Sequence, residues 1–509
     1  MDELQKLAIE TIQMNKQAII FLPSRASAEK TAEEIALLTS LNYPEFEKEV
    51  LHAASTPTKQ CRRLSHIIRK GIAFHHAGLL QKQKDLIEEE FKKGKIKIIC
   101  ATPTLAAGVD LPAYRVLIKS LKRYSSHWGL DWIQVLEYLQ MAGRAGRPQY
   151  EKEGQAICMA KDEQEKEEIF NHYICGVPEE IYSKLAVEPV LRTYLLSLIS
   201  ANIIRNEKSM KDFFSKTFWA YQFKDFPKLE AIMEKMLTLL EEWKFIIISG
   251  GKKDEFVSAS SLNSAQKEMQ ATLLGKRVSE LYLDPLTARH LLDCLQNFNE
   301  KKNAFSLLQM ISNTLEIRPL LSVKAKQQDY IQEELIKRYD SLLQKEPSAF
   351  DLSYPEFMDS IKTALFFEAW VNEYDEDYLL ETYDVRPGEI RVKMETADWL
   401  LFAAEELSKI LDYKESLKEL RKLRIRVKNG VKEELLPLLK LKGIGRVRGR
   451  RLYSNEIRDL GDIKKTDLTT LTQILGKTIA EDVKKQLGEE IEEIPEGRRK
   501  GQLSIEKFE

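Results

Sequence analysis

Two arginines, three positions apart, follow a predicted helix in the first third of the chain. The segment at 140–148 reads QMAGRAGRP and contains Arg144 and Arg147 among small residues. Glycine lets a backbone approach a ligand closely, and paired guanidinium groups suit bidentate contact with phosphate oxygens. The segment therefore predicts a phosphate site, with a glycine-rich turn carrying surface arginines as the alternative.

Three further segments follow predicted strands in the same way. They are FLPSR at 21–25, FHHAGL at 74–79 and ATPTLAAGVDLPA at 101–113. The last of them places the hydroxyls of Thr102 and Thr104 at the carboxyl end of a strand, where open α/β sheets bind their ligands. Four such loops at one edge of a sheet predict a single shared site.

The elements that must position these loops alternate along residues 1–177. Apolar runs predict strands at 17–22, 71–74, 95–100, 116–118 and 155–159. Helical spacing of apolar residues predicts helices at 27–38, 81–93 and 133–141. Strands that alternate with helices predict an α/β domain with a parallel sheet covered on both faces.

The remainder of the chain is predominantly helical, and its patterns predict four further segments. Helices with one β-like run suit a winged-helix domain at 178–292, and an almost wholly helical pattern predicts a bundle at 293–430. A compact helical domain at 431–494 contains LKGIGRVRGRRLY, and residues 495–509 are predicted to be a polar tail.

Charge and composition narrow the class of protein. The 509 residues carry a net charge of −1, yet residues 421–458 hold thirteen basic and three acidic side chains, a local charge of +10. Such a block predicts either a polyanion site or a solvated helix face. No apolar run is long enough for a membrane span, and the N-terminal residues do not resemble a secretory signal. Five single cysteines without a CxxC pair favour a reducing cytoplasm over a zinc or redox site.

In their order along the chain and in their amino-acid sequence, the four loops resemble motifs IV, IVa, V and VI of superfamily 2 helicases. The match is with archaeal Hjm and PolQ-like DNA repair helicases of the superkiller-like group. Beyond the motor, the chain is similar to that family's winged-helix, ratchet and helix-hairpin-helix domains at 178–200, 273–288, 362–373, 385–407 and 441–453. The resemblance implies a RecA-like motor domain at 1–177 and covers nearly the whole chain.

For the nucleotide site, the resemblance implies arginine fingers at Arg144 and Arg147 that act on the γ-phosphate of ATP. It implies that Gln140 positions the attacking water or senses that phosphate. The residues that would line or couple this site, with ATP and Mg²⁺ as its ligands, are Gly108, Asp110 and Gly143.

For the nucleic-acid track, the resemblance implies phosphate contacts from Arg25, His76, Thr102 and Thr104. A strand-separating hairpin is expected at 119–130, with a plain surface loop as the alternative; its candidate contacts are Arg123, Tyr124 and Trp128. On the ratchet helix, Trp399 would stack on a base, although Val392 replaces the family's arginine and leaves Arg391 beside it. Core packing is the alternative for Trp399.

The C-terminal segments supply two further expectations. Gly443 and Gly445 let backbone amides point at a phosphate, and three neighbouring arginines, Arg446, Arg448 and Arg450, add positive charge. The resemblance implies that this domain holds single-stranded DNA. The tail places Gln502, Ile505 and Phe508 at the spacing of a peptide that binds the PCNA sliding clamp.

The sequence contains no G-x-x-x-x-G-K-[ST] string in a strand-loop-helix context. The expectation is therefore the C-terminal half of an ATP-dependent, 3′→5′ DNA helicase of repair or fork processing, inactive without a chain that carries Walker A and B. Three origins stay open: a natural split subunit, an incomplete chain, or an ATP-independent, clamp-tethered nucleic-acid adaptor. Half of a superkiller-like RNA helicase is a further alternative.

Overall fold

The computed structural model describes most of the chain, as two compact units. The described residues are 1–53, 57–106, 109, 111–125, 129–146, 153–249, 268–298 and 302–488. One unit consists of Met1–Pro285 and Asp375–Glu395, and the other of Leu286–Tyr374 and Thr396–Glu509. A segment late in the sequence therefore belongs to the first unit.

A five-stranded parallel sheet lies in the first unit. The strands of residues 1–177 are Ala18–Phe21 (β1), Ile72–His75 (β2), Ile98–Ala101 (β3), Arg115–Ile118 (β4), Lys122–Ser125 (β5), Gly129–Trp132 (β6) and Gln155–Cys158 (β7). The order in the sheet is β2-β3-β1-β4-β7, and every neighbouring pair is parallel. Strands β1 to β4 are buried along their whole length, as expected for strands covered on both faces. The predicted parallel sheet is confirmed.

Seven α-helices accompany these strands in the described part of residues 1–177. They are Glu3–Gln13 (α1), Arg25–Ala36 (α2), Pro44–His52 (α3), Lys59–Ile68 (α4), Gln81–Lys92 (α5), Val135–Ala142 (α6) and Glu163–Ile169 (α7). The loop after β1 ends at Ser24, whose hydroxyl accepts from the Ser27 amide at 3.2 Å and caps α2. The helices predicted at 27–38, 81–93 and 133–141 are confirmed, and α1, α3, α4 and α7 are additional.

Strands β5 and β6 form a separate antiparallel pair, in which Arg123 lies opposite Asp131 and Tyr124 opposite Leu130. The hairpin expected at 119–130 is thus present, although its strands occupy 122–132. Its connecting residues 126–128 lie outside the described part of the chain. The surface-loop alternative is wrong, because both arms carry ladder hydrogen bonds.

The rest of the first unit is mainly helical, with one small hairpin. Its further elements are Glu188–Ser200 (α8), Glu207–Phe214 (α9), Phe218–Phe223 (α10), Phe226–Glu242 (α11), Ile246–Ser249 (β8), Glu268–Ala271 (β9) and Leu273–Glu280 (α12). Helix α8 packs against α11 and α12. Strand β8 was expected, and its antiparallel partner β9 supplies the second arm. The name of winged helix for this segment stays a prediction.

The second unit is built from helices in its described residues. The remaining helices of the chain are Pro285–Gln296 (α13), Ala304–Ser312 (α14), Gln328–Lys337 (α15), Tyr354–Val371 (α16), Glu376–Tyr383 (α17), Pro387–Ile410 (α18), Lys414–Asn429 (α19), Arg446–Ser454 (α20), Leu460–Lys465 (α21), Leu468–Leu475 (α22) and Lys477–Gln486 (α23). Of these, α17 and residues 387–395 of α18 belong to the first unit. Helix α14 packs against α16 and α19, and α20 to α23 share a small core around Leu452, Ile463 and Leu471. No helix in the described ranges has the length and apolar character to cross a membrane.

Candidate functional site

A cleft of about 740 Å³ lies at the carboxyl ends of the central strands. The loops after β1, β2 and β3, the hairpin and helix α6 all contribute to its lining. The predicted site residues on its wall are Arg25, Thr102, Thr104, Arg123 and Gln140. Residues from three of the predicted loops and from the helix before Arg144 therefore meet in one place, as the strand-end argument expects.

The two threonines after β3 contribute hydroxyl groups to the lining of this cleft. Their hydroxyl oxygens lie 2.9 Å apart, close enough for one to donate to the other. Thr104 is exposed and Thr102 half-buried. Adjacent hydroxyls at a strand's carboxyl end can both donate to phosphate oxygens, which suits the predicted backbone contact.

The arginine segment after α6 is joined to the loop after β3. Arg144 donates from Nε and Nη2 to the carbonyl of Ala106, at 3.2 and 2.5 Å. Its own carbonyl accepts from the Ala113 amide at 2.9 Å. Arg144 is half-buried at this edge rather than turned into the core. The main-chain links make motifs V and VI, as the resemblance names them, one connected segment.

Several predicted nucleotide-site residues cannot be placed, because Arg147, Gly108 and Asp110 lie outside the described residues. Gly143 ends α6, and a Cβ there would lie 2.9 Å from the Leu139 carbonyl oxygen. A side chain at Gly143 would therefore disturb the turn that leads to the arginines.

One predicted phosphate contact is wrong. His76 is 1% exposed, so its imidazole does not reach the cleft surface. Its Nδ1 accepts from the Gly78 amide at 3.1 Å, and its Nε2 lies 3.1 Å from Glu29 Oε1. Because Nδ1 is the acceptor, the ring proton belongs on Nε2 and is donated to Glu29. His76 thus shapes the motif IVa loop from inside.

Glu29 is the buried centre of this region, and sequence reasoning missed it. Burial opposes its ionisation, but the hydrogen bond from His76 and the charges of Arg386 and Arg63 lower the pKa of Glu29 to about 2. Burial also lowers the pKa of His76. The pair is therefore a neutral imidazole that donates to a carboxylate. The available signal was an acidic residue on the face of α2 that also carries Ala28 and Ala32.

Arg25 lines the cleft, and its charge is already paired with a carboxylate. Its guanidinium forms an ion pair with Glu389, which begins the helix α18 together with Pro387 and Gly388. The side chain of Arg25 is 37% exposed, so solvent still reaches it. A phosphate at this position would compete with the Glu389 carboxylate.

The hairpin is fixed at its base by contacts that sequence reasoning did not predict. The Lys122 ammonium lies 4.0 Å from the centre of the Trp132 ring and 3.2 Å from the Glu165 carboxylate. Arg123 is exposed and pairs with Glu137 at 3.1 Å. The side chain of Tyr124, and Trp128 altogether, lie outside the described part.

On helix α18, the predicted base-stacking residue is partly exposed to solvent rather than enclosed in the core. Trp399 is half-buried, whereas the adjacent Leu400 and Leu401 are fully buried. This distribution disfavours core packing as the role of the tryptophan. Arg391 is 67% exposed and pairs with Glu395 at 3.0 Å, and Val392 is also exposed.

The three candidate arginines of α20 have different surroundings. Arg448 is exposed and donates to the Gly443 carbonyl at 2.8 Å. Arg446 stacks over Trp370, with 5.2 Å between the guanidinium and the ring centre. Arg450 pairs with Glu373 at 2.7 Å and with Glu434 at 2.7 Å. Of the three, only Arg448 is exposed.

The basic block at 421–458 is partly neutralised within the second unit. Arg421 pairs with Glu405 at 3.0 Å, and Arg424 with Asp398 at 2.8 Å. Its local charge of +10 therefore overstates the field offered to a polyanion. The clamp-peptide residues Gln502, Ile505 and Phe508 lie outside the described residues.

Comparison with known proteins gives three family matches along the chain. Residues 1–149 match the helicase conserved C-terminal domain, residues 305–430 match domain 4 of archaeal helicases, and residues 435–489 match a SAM-like helix-hairpin-helix tandem. Proteins named ATP-dependent DNA helicase Hel308 from Pyrococcus horikoshii and Pyrococcus abyssi are 36% and 35% identical over 510 residues. Each alignment covers 98% of this chain and 68% of the relative. A relative of the same name from Methanocella arvoryzae is 34% identical over 513 residues, 97% of this chain and 66% of the relative.

Proposed function

The chain belongs to the Hel308 family of ATP-dependent DNA helicases, and from that premise we propose that it supplies the second motor domain and the DNA track of a 3′→5′ helicase. In this proposal ATP and Mg²⁺ are held mainly by a motor domain that carries Walker A and B motifs. The cleft supports it, because it gathers the hydroxyls of Thr102 and Thr104 with Gln140 on one wall.

Arg144 and Arg147 act as arginine fingers in this proposal, with Gln140 positioning water or sensing the γ-phosphate. The observation that carries it is the bond from Arg144 to the Ala106 carbonyl. A guanidinium has five N–H donors in a rigid fork, so it can hold a carbonyl and a phosphate oxygen together. Movement of the loop after β3 would then reach the triphosphate through Arg144. Gly108, Asp110 and Gly143 line or couple the same site.

The same proposal assigns the DNA track to the predicted phosphate and base contacts. Arg25, Thr102 and Thr104 contact backbone phosphates, and the hairpin separates the strands with Arg123, Tyr124 and Trp128. Trp399 stacks on a base, and Arg391 takes the place of the family's ratchet arginine. In the helix-hairpin-helix domain we assign the phosphate contact to Arg448, with Gly443 and Gly445 beside it.

Reconstitution tests the nucleotide half of the proposal. The purified 509-residue chain should not hydrolyse ATP alone, and a Walker A-bearing first motor domain of the same family, added in trans, should give a DNA-stimulated rate. Arg144→Ala should lower that rate by about 10³-fold or more, the scale of an arginine finger. Arg62→Ala removes an exposed arginine outside the cleft and should leave the rate unchanged.

The other outcomes decide between the remaining functions. Hydrolysis by the chain alone contradicts the need for a second domain, and an unchanged rate in Arg144→Ala contradicts the finger. Tight single-stranded DNA binding with no hydrolysis under any pairing identifies an ATP-independent adaptor.

Substrate and partner are tested by binding. Forked DNA should bind more tightly than matched RNA at 150 mM salt, and stronger RNA binding would place the chain with RNA helicases.

A PCNA sliding clamp should bind the intact tail and lose that binding in Phe508→Ala. Unchanged clamp binding in that variant would remove the clamp from the proposal.

A further inference from the structure

A segment late in the sequence is attached to the motor domain. The main-chain amide of Lys59 donates to Asp377 at 2.9 Å, and its ammonium pairs with Glu381. Arg25 pairs with Glu389. Residues 375–395 thus belong to the first unit through charge contacts with α2 and α4.

The most buried of these contacts is made by Glu29. Its Oε1 accepts from His76 Nε2 at 3.1 Å, from Gln60 Nε2 at 3.0 Å and from Arg386 Nε at 3.2 Å. Its Oε2 accepts from Arg63 at 2.6 Å. The side chains of Glu29 and Arg386 are 5% and 14% exposed. One carboxylate therefore joins motif IV, motif IVa and the residue directly before α18.

Two glycines let the backbones meet beside this carboxylate. The Gly388 amide donates to the Gly78 carbonyl at 3.1 Å. A Cβ on Gly388 would lie 2.4 Å from the Leu79 oxygen and 2.5 Å from the Ala77 oxygen. These are main-chain atoms, so a side chain at Gly388 would force the start of α18 away from the loop.

We propose that Glu29 is a positioning residue that, through Arg386 and His76, holds the start of helix α18 on the motif IVa loop. Helix α18 runs from Pro387 to Ile410 and carries Trp399. A displacement of the loop after β2 is thereby passed to the helix that carries the proposed base-stacking residue. This coupling rests on the proposed function, whereas the docking itself does not.

The charges around Glu29 explain why its contact with Arg386 is stable. The carboxylate stays ionised because Arg386 and Arg63 offset its burial. His76 stays neutral, because protonation of Nδ1 would oppose the Gly78 amide that it accepts from. Removing one partner of a buried ion pair leaves an uncompensated charge, which is far more costly than breaking a surface pair.

Hydrogen exchange on the full 509-residue chain tests the docking without ATP or a partner. In Arg386→Ala the amides of residues 386 and 388–390 should exchange about 10-fold to 100-fold faster, because the segment loses a buried ion pair that opposes local opening. Gly388→Ala should do the same through steric clash, with no change of charge. Arg63→Ala is the matched control: it removes an arginine from the same carboxylate, and Arg63 pairs with Glu33 rather than with the 375–395 segment.

The exchange pattern can overturn the docking role. Unchanged exchange at 386–390 in both Arg386→Ala and Gly388→Ala would contradict it. Equal acceleration in Arg63→Ala would mean that Glu29 only stabilises the motor domain. Arg386→Lys, which retains charge but lacks the planar fork, should restore part of the protection.

The coupling is measured in the motor assembled with a Walker A-bearing domain. Gly388→Ala should lower the number of base pairs unwound per ATP by about five-fold or more and leave the DNA-stimulated hydrolysis rate within about two-fold. An unchanged ratio would contradict the coupling. If the wild-type chain never supports hydrolysis, the proposed function has failed, and the exchange experiment still decides whether Glu29 positions α18.

Discussion

At the scale of single residues, hydrogen-bond direction determines what the buried polar groups do. The Gly78 amide points at Nδ1 of His76, so the imidazole must donate from Nε2 to Glu29. A residue that the family resemblance suggested as a DNA contact therefore acts on the protein's own carboxylate. Buried polar groups are almost always paired, and here the partner identifies the role.

Glu29 should make the stability of the motor domain sensitive to acid. Its pKa falls from an ordinary 4.5 to about 2 in the folded chain, so its contribution is complete above about pH 4.5 and is lost as pH falls toward 2. That contribution is at most about 3 kcal/mol, since one pKa unit is worth about 1.4 kcal/mol. Urea unfolding between pH 7 and pH 3 should show a shallower loss of stability in Glu29→Gln than in wild type. Glu33→Gln, which changes a more exposed partner of Arg63, is the control; an equal change there would contradict the assignment.

Trp399 carries a prediction about binding rather than stability. Stacking of a base on an aromatic ring is worth about 1–3 kcal/mol, so Trp399→Ala should weaken single-stranded DNA binding roughly 5-fold to 150-fold. Fluorescence anisotropy with a labelled oligonucleotide measures this. Trp243→Ala, directly after helix α11 of the first unit, should bind like wild type. Equal affinity in the two variants would exclude stacking by Trp399.

At the scale of elements, helix α20 carries two arginines with different surroundings. Gly445 begins the helix without a side-chain cap, and Gly443 before it has a φ of +82°, a region open to glycine. Arg448 lies on the exposed side of this turn, whereas Arg450 reaches Glu373 and Glu434. The hydrogen bonds that Arg450 donates to the carboxylates of Glu373 and Glu434 raise the pKa of Arg450, so its charge is used within the fold.

Substitutions should separate these two roles. Arg450→Ala should lower the melting temperature, because Glu373 loses its guanidinium partner. The free energy of unfolding should fall by about 1–3 kcal/mol. Arg448→Ala should leave the melting temperature unchanged and reduce the salt dependence of DNA binding by about one phosphate contact. Thermal melting and a salt titration on the same samples measure both. An unaltered salt slope in Arg448→Ala would place the phosphate contact elsewhere.

At the scale of the whole molecule, the two units do not follow chain order. Residues 375–395 belong with Met1–Pro285, although 89 residues of the other unit separate them in sequence. The first unit is therefore incomplete without a segment that a linear division of domains would assign to the helical bundle.

A dissection of the chain tests this composition. A fragment of residues 1–285 lacks the contacts that the 375–395 segment makes with Glu29, Arg25 and Lys59. It should melt at a lower temperature alone than with a synthetic peptide of residues 375–395. The same peptide carrying Arg386→Ala should give less stabilisation. A melting temperature that does not respond to the wild-type peptide would contradict the proposed docking of this segment.

The sequence by itself determined what local pattern can encode. Short apolar runs specified the parallel sheet, a glycine-flanked arginine pair marked the segment after α6, and motif order identified the helicase family. Each strand and each motif lies within about ten to twenty neighbouring residues, the range over which helix and strand periodicity acts. The family resemblance also anticipated a hairpin at 119–130, close to the strands found at 122–132.

Only the tertiary structure decided which polar residues face the cleft and which face each other. Glu29 and Arg386 are 357 positions apart, and no spacing rule connects them. Burial removed His76 from the predicted DNA contacts, and ion pairs engaged Arg450 and part of the basic block. The physical reason is that a charge acts on whatever lies within a few ångströms of it, and folding, rather than sequence proximity, sets those neighbours.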